Sequence, residues 1–103
     1  MSRAPRYGRN QDGNHREIVR ALEAVGATVE PLVADQPGVP DLLVGWRKQT
    51  FLLEVKDGSK KPSARRLRKG QALWHTRWAG RPVAVVHDVQ QALAAIGATV
   101  RTG

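Results

Sequence analysis

Cysteine is absent from this chain, so disulfide frameworks, thiolate zinc sites and cysteine nucleophiles are all excluded. Long apolar runs are missing too, and nothing approaches the roughly 18 to 20 residues needed to span a bilayer. The opening MSRAPRYGRN carries arginines with no apolar stretch behind them, so neither membrane insertion nor Sec secretion is expected. The expected location is the cytoplasm, at the nucleoid or in a phage-infected cell. Acidic residues are scarce: nine Asp and Glu stand against seventeen Lys and Arg, a formal net charge of +8.

What is present fits one globular domain. In 103 residues, 41% hydrophobic and 25% charged, there is material for one packed core and no room for a second. A small domain this basic is expected to meet a polyanion, with nucleic acid the leading class, although the same excess also serves plain solubility. Distribution favours the former. Lys60, Lys61, Arg65, Arg66, Arg68 and Lys69 fall within ten residues, and Arg3, Arg6 and Arg9 decorate the start; both groups read as phosphate contacts.

Residues 1–13 show no apolar period and read as a flexible basic tail, with the domain proper at 14–103. Asn14 is placed to cap a helix over 15–25, with Glu17 at the capping-box position, Ile18, Ala21, Leu22 and Val25 at helical spacing, and Gly26 as the stop. Residues 27–33 suggest a strand that Pro31 confines to an edge. Beyond the turn-like Asp35-Gln36-Pro37-Gly38, VPDLLVGW and TFLLEVK read as a hairpin, and their nearly continuous apolar character places it inside the sheet. Residues 57–69 read as a basic loop, 71–79 as a helix, 82–87 as a strand, and the last helix is capped by Asp88 with Gln91 and ended by Gly97. The order is α-β-β-β-α-β-α.

With Lys48 and Gln49 as a two-residue turn, Arg47 faces Thr50, Leu43 faces Glu54 and Asp41 faces Lys56. Glu54 and Lys56 then share a face with Asp41 at one end of the hairpin, whereas a slip of one residue would separate them. Two carboxylates suit a hard ion such as Mg2+ or Mn2+, and a neighbouring amine can act on a water attacking a phosphate. The residues alone equally allow a Pro-Asp turn beside an ordinary ion-pairing strand face.

GVPDLLVGW followed by FLLEVKDG resembles the signature of the PD-(D/E)xK nucleases, in particular their VRR-NUC branch. Pro40-Asp41 matches PD, Glu54-Val55-Lys56 matches ExK, Gly38 matches a glycine shortly before PD, Gln71 matches a downstream glutamine, and Glu17 matches a glutamate on the first helix. The likeness covers roughly residues 14–97. It implies an α/β, restriction-endonuclease-like core with a central mixed sheet flanked by helices. It further implies a Mg2+- or Mn2+-dependent endodeoxyribonuclease in which Asp41, Glu54 and the carbonyl of Val55 hold the metal. Lys56 would act on the attacking water, Glu17 would complete the outer site, and Gln71 would orient Lys56 or a phosphate. Glu17 also has its capping duty as a sufficient reason to be there.

Stand-alone domains of this kind resemble junction-resolving enzymes, which implies branched or four-way-junction DNA as partner and a two-fold homodimer. The apolar material of Ile96, of residues 98–100 and of the Trp-bearing helix could serve that dimer or the core. A non-catalytic DNA-binding module and an RNA-directed nuclease are the rivals. Trp74 and Trp78, four apart, are expected to pack on the sheet. His75 lies one turn after Gln71 and could approach the site, with no second histidine to make a ligand pair, and His87 reads as structural.

Overall fold

The computed structural model describes residues 13–33 and 36–98. Arg3, Arg6 and Arg9, Asp35, Thr99, Val100 and the side chain of Arg65 lie outside the described residues. The elements are α1 (Gly13–Ala24), β1 (Thr28–Pro31), β2 (Leu42–Trp46), β3 (Gln49–Val55), α2 (Pro62–Arg65), α3 (Lys69–Arg77), β4 (Ala84–Val86) and α4 (Val89–Ile96). The four strands form one sheet in the order β1-β2-β3-β4, with the first two pairings antiparallel and β3-β4 parallel. This is the mixed-sheet α/β architecture of the restriction-endonuclease-like class expected above. The apolar hairpin occupies the two central strands, and Pro31 lies on the edge strand, where its missing N–H breaks no ladder.

Alternation along the strands gives the sheet two unlike faces. Val29, Leu42, Val44, Phe51, Leu53, Val55 and Val86 are buried together with Ile18, Val19 and Leu22 of α1 and Ala92, Leu93 and Ile96 of α4. The two helices pack on each other, α1 also on β1 and α4 on β4. Ile96 and Ala98 are therefore core and offer no surface to a partner. The opposite face carries Thr28, Glu30, Leu43, Thr50 and Leu52, exposed or half-buried.

Four local expectations are corrected. The hairpin turn is Arg47-Lys48, both with left-handed φ (51° and 69°), so the register pairs Gly45 with Thr50 and Leu42 with Leu53, two residues away from the pairing expected above. Two non-glycine residues in this region are strained, and the hairpin tolerates them because such a turn matches the right-handed twist of its strands. The Arg47 guanidinium lies 4.2 Å from the centre of the Trp46 ring and helps hold the turn. Because the shift is even, every side chain keeps its expected face.

Asn14 is inside α1 and does not cap it; its Nδ2 instead donates to the carbonyls of His87 (2.8 Å) and Lys56 (3.4 Å), tying the helix to the ends of β4 and β3. Residues 57–69 are not all loop, since Pro62 starts the short α2 and α3 begins at Lys69. At the far end Asp88 caps α4 by accepting the Gln91 N–H (2.8 Å), while the Gln91 side chain accepts from His87 N–H instead of closing the box.

Trp74 and Trp78 also depart from expectation. They stack on each other, ring centres 5.0 Å apart and 16° from parallel, and α3 buries no residue at all. Trp78 stays 43% exposed because its indole N–H is held by the Arg81 carbonyl, at the chain reversal after the helix, and not by the sheet.

Candidate active site

The ladder of β2 and β3 ends at Leu42 and Leu53, and just past it the chain does something a plain strand would not. Asp41 N–H donates to the Leu53 carbonyl (3.1 Å), and the Asp41 carboxylate accepts the N–H of Val55 (2.8 Å). The carboxylate thus takes the place of a backbone acceptor, which locks Asp41 to the strand that bears Glu54 and Lys56. Pro40 is fully buried ahead of it and fixes the entry of the chain.

Glu54 is the most enclosed acid among the described residues, 2% exposed, on the central strand β3 beside Val85 of β4. Its Oε2 accepts a hydrogen bond from Gln71 Nε2 (2.7 Å) and lies 3.8 Å from Lys56 Nζ. Its Oε1 is buried with no hydrogen-bond donor. Burial first, then the Asp41 charge, push the Glu54 carboxyl up to about 8, and Lys56 and Arg68 oppose the shift. Two carboxylates this close in a desolvated site need a proton between them or a cation.

Gln71 joins the parts. Its Oε1 accepts from Lys56 Nζ (2.9 Å) and from the backbone N–H of Arg68 (2.8 Å), while its Nε2 serves Glu54. One side chain therefore caps α3 and aligns both Lys56 and Glu54. Gly38 makes this approach possible. It adopts φ +95°, and a Cβ there would run into the Gly70 carbonyl group and stand 3.1 Å from Trp74 Cβ, so only glycine lets the segment before Pro40-Asp41 lie against the start of α3.

Asp41, Glu54, Lys56 and Gln71, all singled out in the sequence, are thus brought together, with Val55 held between them. Glu17 is exposed on α1 and makes no hydrogen bond or ion pair with the cluster. Lys60, Lys61, Arg66, Arg68 and Lys69 are exposed around α2 and the start of α3. His75 is half-buried one turn beyond Gln71, its Nε2 without a partner; burial and then the Lys56 charge hold its imidazole below the usual range. His87 is structural, serving Asn14 and Gln91 through its backbone.

Sequence reasoning missed the role of one residue: Asn14 bridges β3 and β4 behind the site, and only its helix-starting character was visible. Arg68, expected only as one phosphate contact among several, also opens α3, with its backbone N–H on Gln71 Oε1.

The donor set suits a divalent cation. Glu54 Oε1, buried and without a donor, and the adjacent Asp41 carboxylate are hard oxygen ligands, and a positive charge would relieve the repulsion between them. Among the described residues no three His, Asp or Glu side chains form a ready cage. Two carboxylates with carbonyl, water and phosphate oxygens are the usual company of magnesium, so this does not count against the fit.

No family model and no curated protein matches this chain. A solved structure described as a VRR_NUC domain is similar to it, with 29% identity, 81% of this chain and 94% of that chain covered, and a TM-score of 0.60. With most of both chains covered, this chain has the fold of a VRR_NUC domain, a mixed four-stranded sheet with helices of the restriction-endonuclease-like, nuclease class.

Proposed function

We propose that this domain is a metal-dependent DNA endonuclease that hydrolyses phosphodiester bonds and selects branched DNA, four-way junctions in particular. The observation that carries the reading is the buried Glu54 beside the half-buried Asp41, with Glu54 Oε1 lacking any donor, set next to Lys56 under Gln71. Asp41, Glu54 and the Val55 carbonyl would hold Mg2+ or Mn2+. Once bound, the ion would supply Lewis-acid stabilisation of the phosphate and a more acidic water.

The chain's own residues do the positioning. Lys56, fixed by Gln71 and Glu54, faces the attacking water and offers positive charge to the phosphate as negative charge grows on it. The bond from the water oxygen to phosphorus forms, the bond to the leaving sugar oxygen breaks, and the water's proton is lost to solvent or a neighbouring base. Glu17 retains an outer role only if substrate or water links it to the ion. The exposed lysines and arginines from Lys60 to Lys69 hold the backbone without reading sequence.

A single site of this kind cuts one strand, and symmetric resolution of a junction needs two. The exposed Leu73 and Trp78 of α3 and the half-buried Leu43 and Leu52 leave apolar surface for a second copy, which supports a homodimer. The test is a cleavage panel of matched linear duplex, four-way junction and RNA substrates, run with magnesium, with manganese and with chelator, alongside light scattering. Junction cutting that chelator stops, by a dimer, is the expected result. Wild-type rates in chelator would overturn metal dependence. Binding without cleavage in either metal would leave a DNA-binding module, and preference for RNA would replace the substrate.

A further inference from the structure

The basic residues between Lys60 and Lys69 look interchangeable in sequence, and the structure separates one of them. Arg68 stands at the N-cap of α3, its backbone N–H bonded to Gln71 Oε1 (2.8 Å) and its carbonyl accepting the first helical bond from Ala72 N–H (2.9 Å). The same Gln71 oxygen receives Lys56 Nζ, and the same amide serves Glu54. The Arg68 main chain is therefore fixed relative to the reacting groups through a single side chain. Its own side chain is exposed and engages in no ion pair among the described residues. Of the cations in this stretch, Arg68 is the one whose main chain is hydrogen-bonded to the side chain that holds Lys56 and Glu54.

Resting on the nuclease reading above, we propose that Arg68 is a catalytic residue that grips the scissile phosphate, distinct in role from the backbone-holding cations around it. A guanidinium is the right group for this. Its planar fork can take two non-bridging phosphate oxygens at once, and it keeps its charge throughout the reaction. The helix start fixes the Arg68 main chain beside the reacting groups, and the guanidinium's attraction counts most when negative charge accumulates on those oxygens. Arg66, outside that network at the end of α2, contributes to affinity alone.

The experiment compares Arg68→Ala, Arg68→Lys and Arg66→Ala in the full chain, with kcat measured in magnesium and Kd in calcium on the substrate that wild type cuts. Arg68→Ala should lower kcat by about 10²- to 10³-fold, the usual loss for removing one transition-state donor. Its Kd should stay near wild type, with an unchanged thermal melt. Arg68→Lys should fall between, keeping the charge without the fork. Free ethylguanidinium should restore rate to Arg68→Ala and do nothing for Arg66→Ala, which should show weaker binding at normal kcat.

A wild-type kcat in Arg68→Ala, a loss confined to Kd, or a kcat loss that guanidinium does not relieve would each overturn the assignment. Failure of the underlying reading looks different: wild type would not cut, or Asp41→Ala would cut as well as wild type.

Discussion

The two faces of the sheet are built from the same strands and held by opposite means. Toward α1 and α4, Leu42, Val44, Phe51, Leu53 and Val55 are buried by apolar packing. On the other face, Asp41, Glu54 and Lys56 meet a helix with no fully buried residue, anchored by the Gln71 hydrogen bonds to Lys56 and Glu54 and by the close passage of Gly38. Hydrophobic burial is non-directional and stabilises whatever packs, whereas hydrogen bonds between fixed partners stabilise little and specify position. The protein thus places its stability on one face and its geometry on the other, and single-residue changes should separate the two.

The sharpest separation is expected from Asp41→Ala, Glu54→Ala and Lys56→Ala set against Leu53→Ala. The first three should abolish cleavage with the fold intact, and Lys56→Ala should still bind substrate. Leu53→Ala should cost about 2 to 5 kcal/mol of stability while its folded fraction keeps cutting. Denaturant titration and cleavage assays on the same preparations check this, and a Leu53→Ala protein that is stable but inactive would break the comparison. Next in size is Gly38→Ala. The new methyl group has to push α3 away from the PD segment, so cleavage should fall at least tenfold, or about 1.4 kcal/mol. Stability should fall by about 1 kcal/mol or more from the left-handed φ alone.

Much of this arrangement was legible beforehand. Period-two alternation put Asp41, Glu54 and Lys56 on one face, and that held because the misjudged register was wrong by an even number of residues. The turn itself was not legible: Arg47 and Lys48 carry none of the Asn-Gly character that announces left-handed turns, and their conformation is imposed by strand twist and the Trp46 stack. Gln71 was found through family likeness alone, since a glutamine opening a helix has no local reason to reach a distant strand. Asn14 misled because cap preference is a local rule, and its side chain answers a long-range need of β3 and β4. The tryptophans misled because helical spacing reports a shared face and not what lies opposite it.

A smaller effect sharpens the electrostatic side of the contrast. In chelator, the folded chain holds a proton on Glu54 at pH values between about 4.5 and about 8, where the unfolded chain has lost it. Folding therefore binds protons in that window, and the stability from this group declines as pH rises through it. Melting temperature in chelator should fall with pH more steeply for wild type than for Glu54→Gln, and excess magnesium should remove the difference. Equal slopes in chelator would mean that the carboxyl is ordinarily ionised.

The smallest expected change belongs to the exposed cations. Neutralising Lys60, Lys61 and Arg66 together should weaken binding to all sequences alike and reduce the log-log salt slope by up to about 0.9 for each phosphate no longer neutralised. The thermal melt should not move. An unchanged salt slope would place the nucleic-acid path elsewhere on the surface.

That no residue of α3 is fully buried has a consequence for dynamics. Cooperative units open independently when few apolar contacts bind them to the rest, and α3 is such a unit, while the sheet and its two packed helices are not. Its amide protons should exchange with solvent long before those of β2 and β3. Each opening withdraws Gln71 and releases Lys56 and Glu54 together, so the chemistry is switched off by a local event that leaves the domain folded. Warming would then silence the enzyme below the temperature at which it melts.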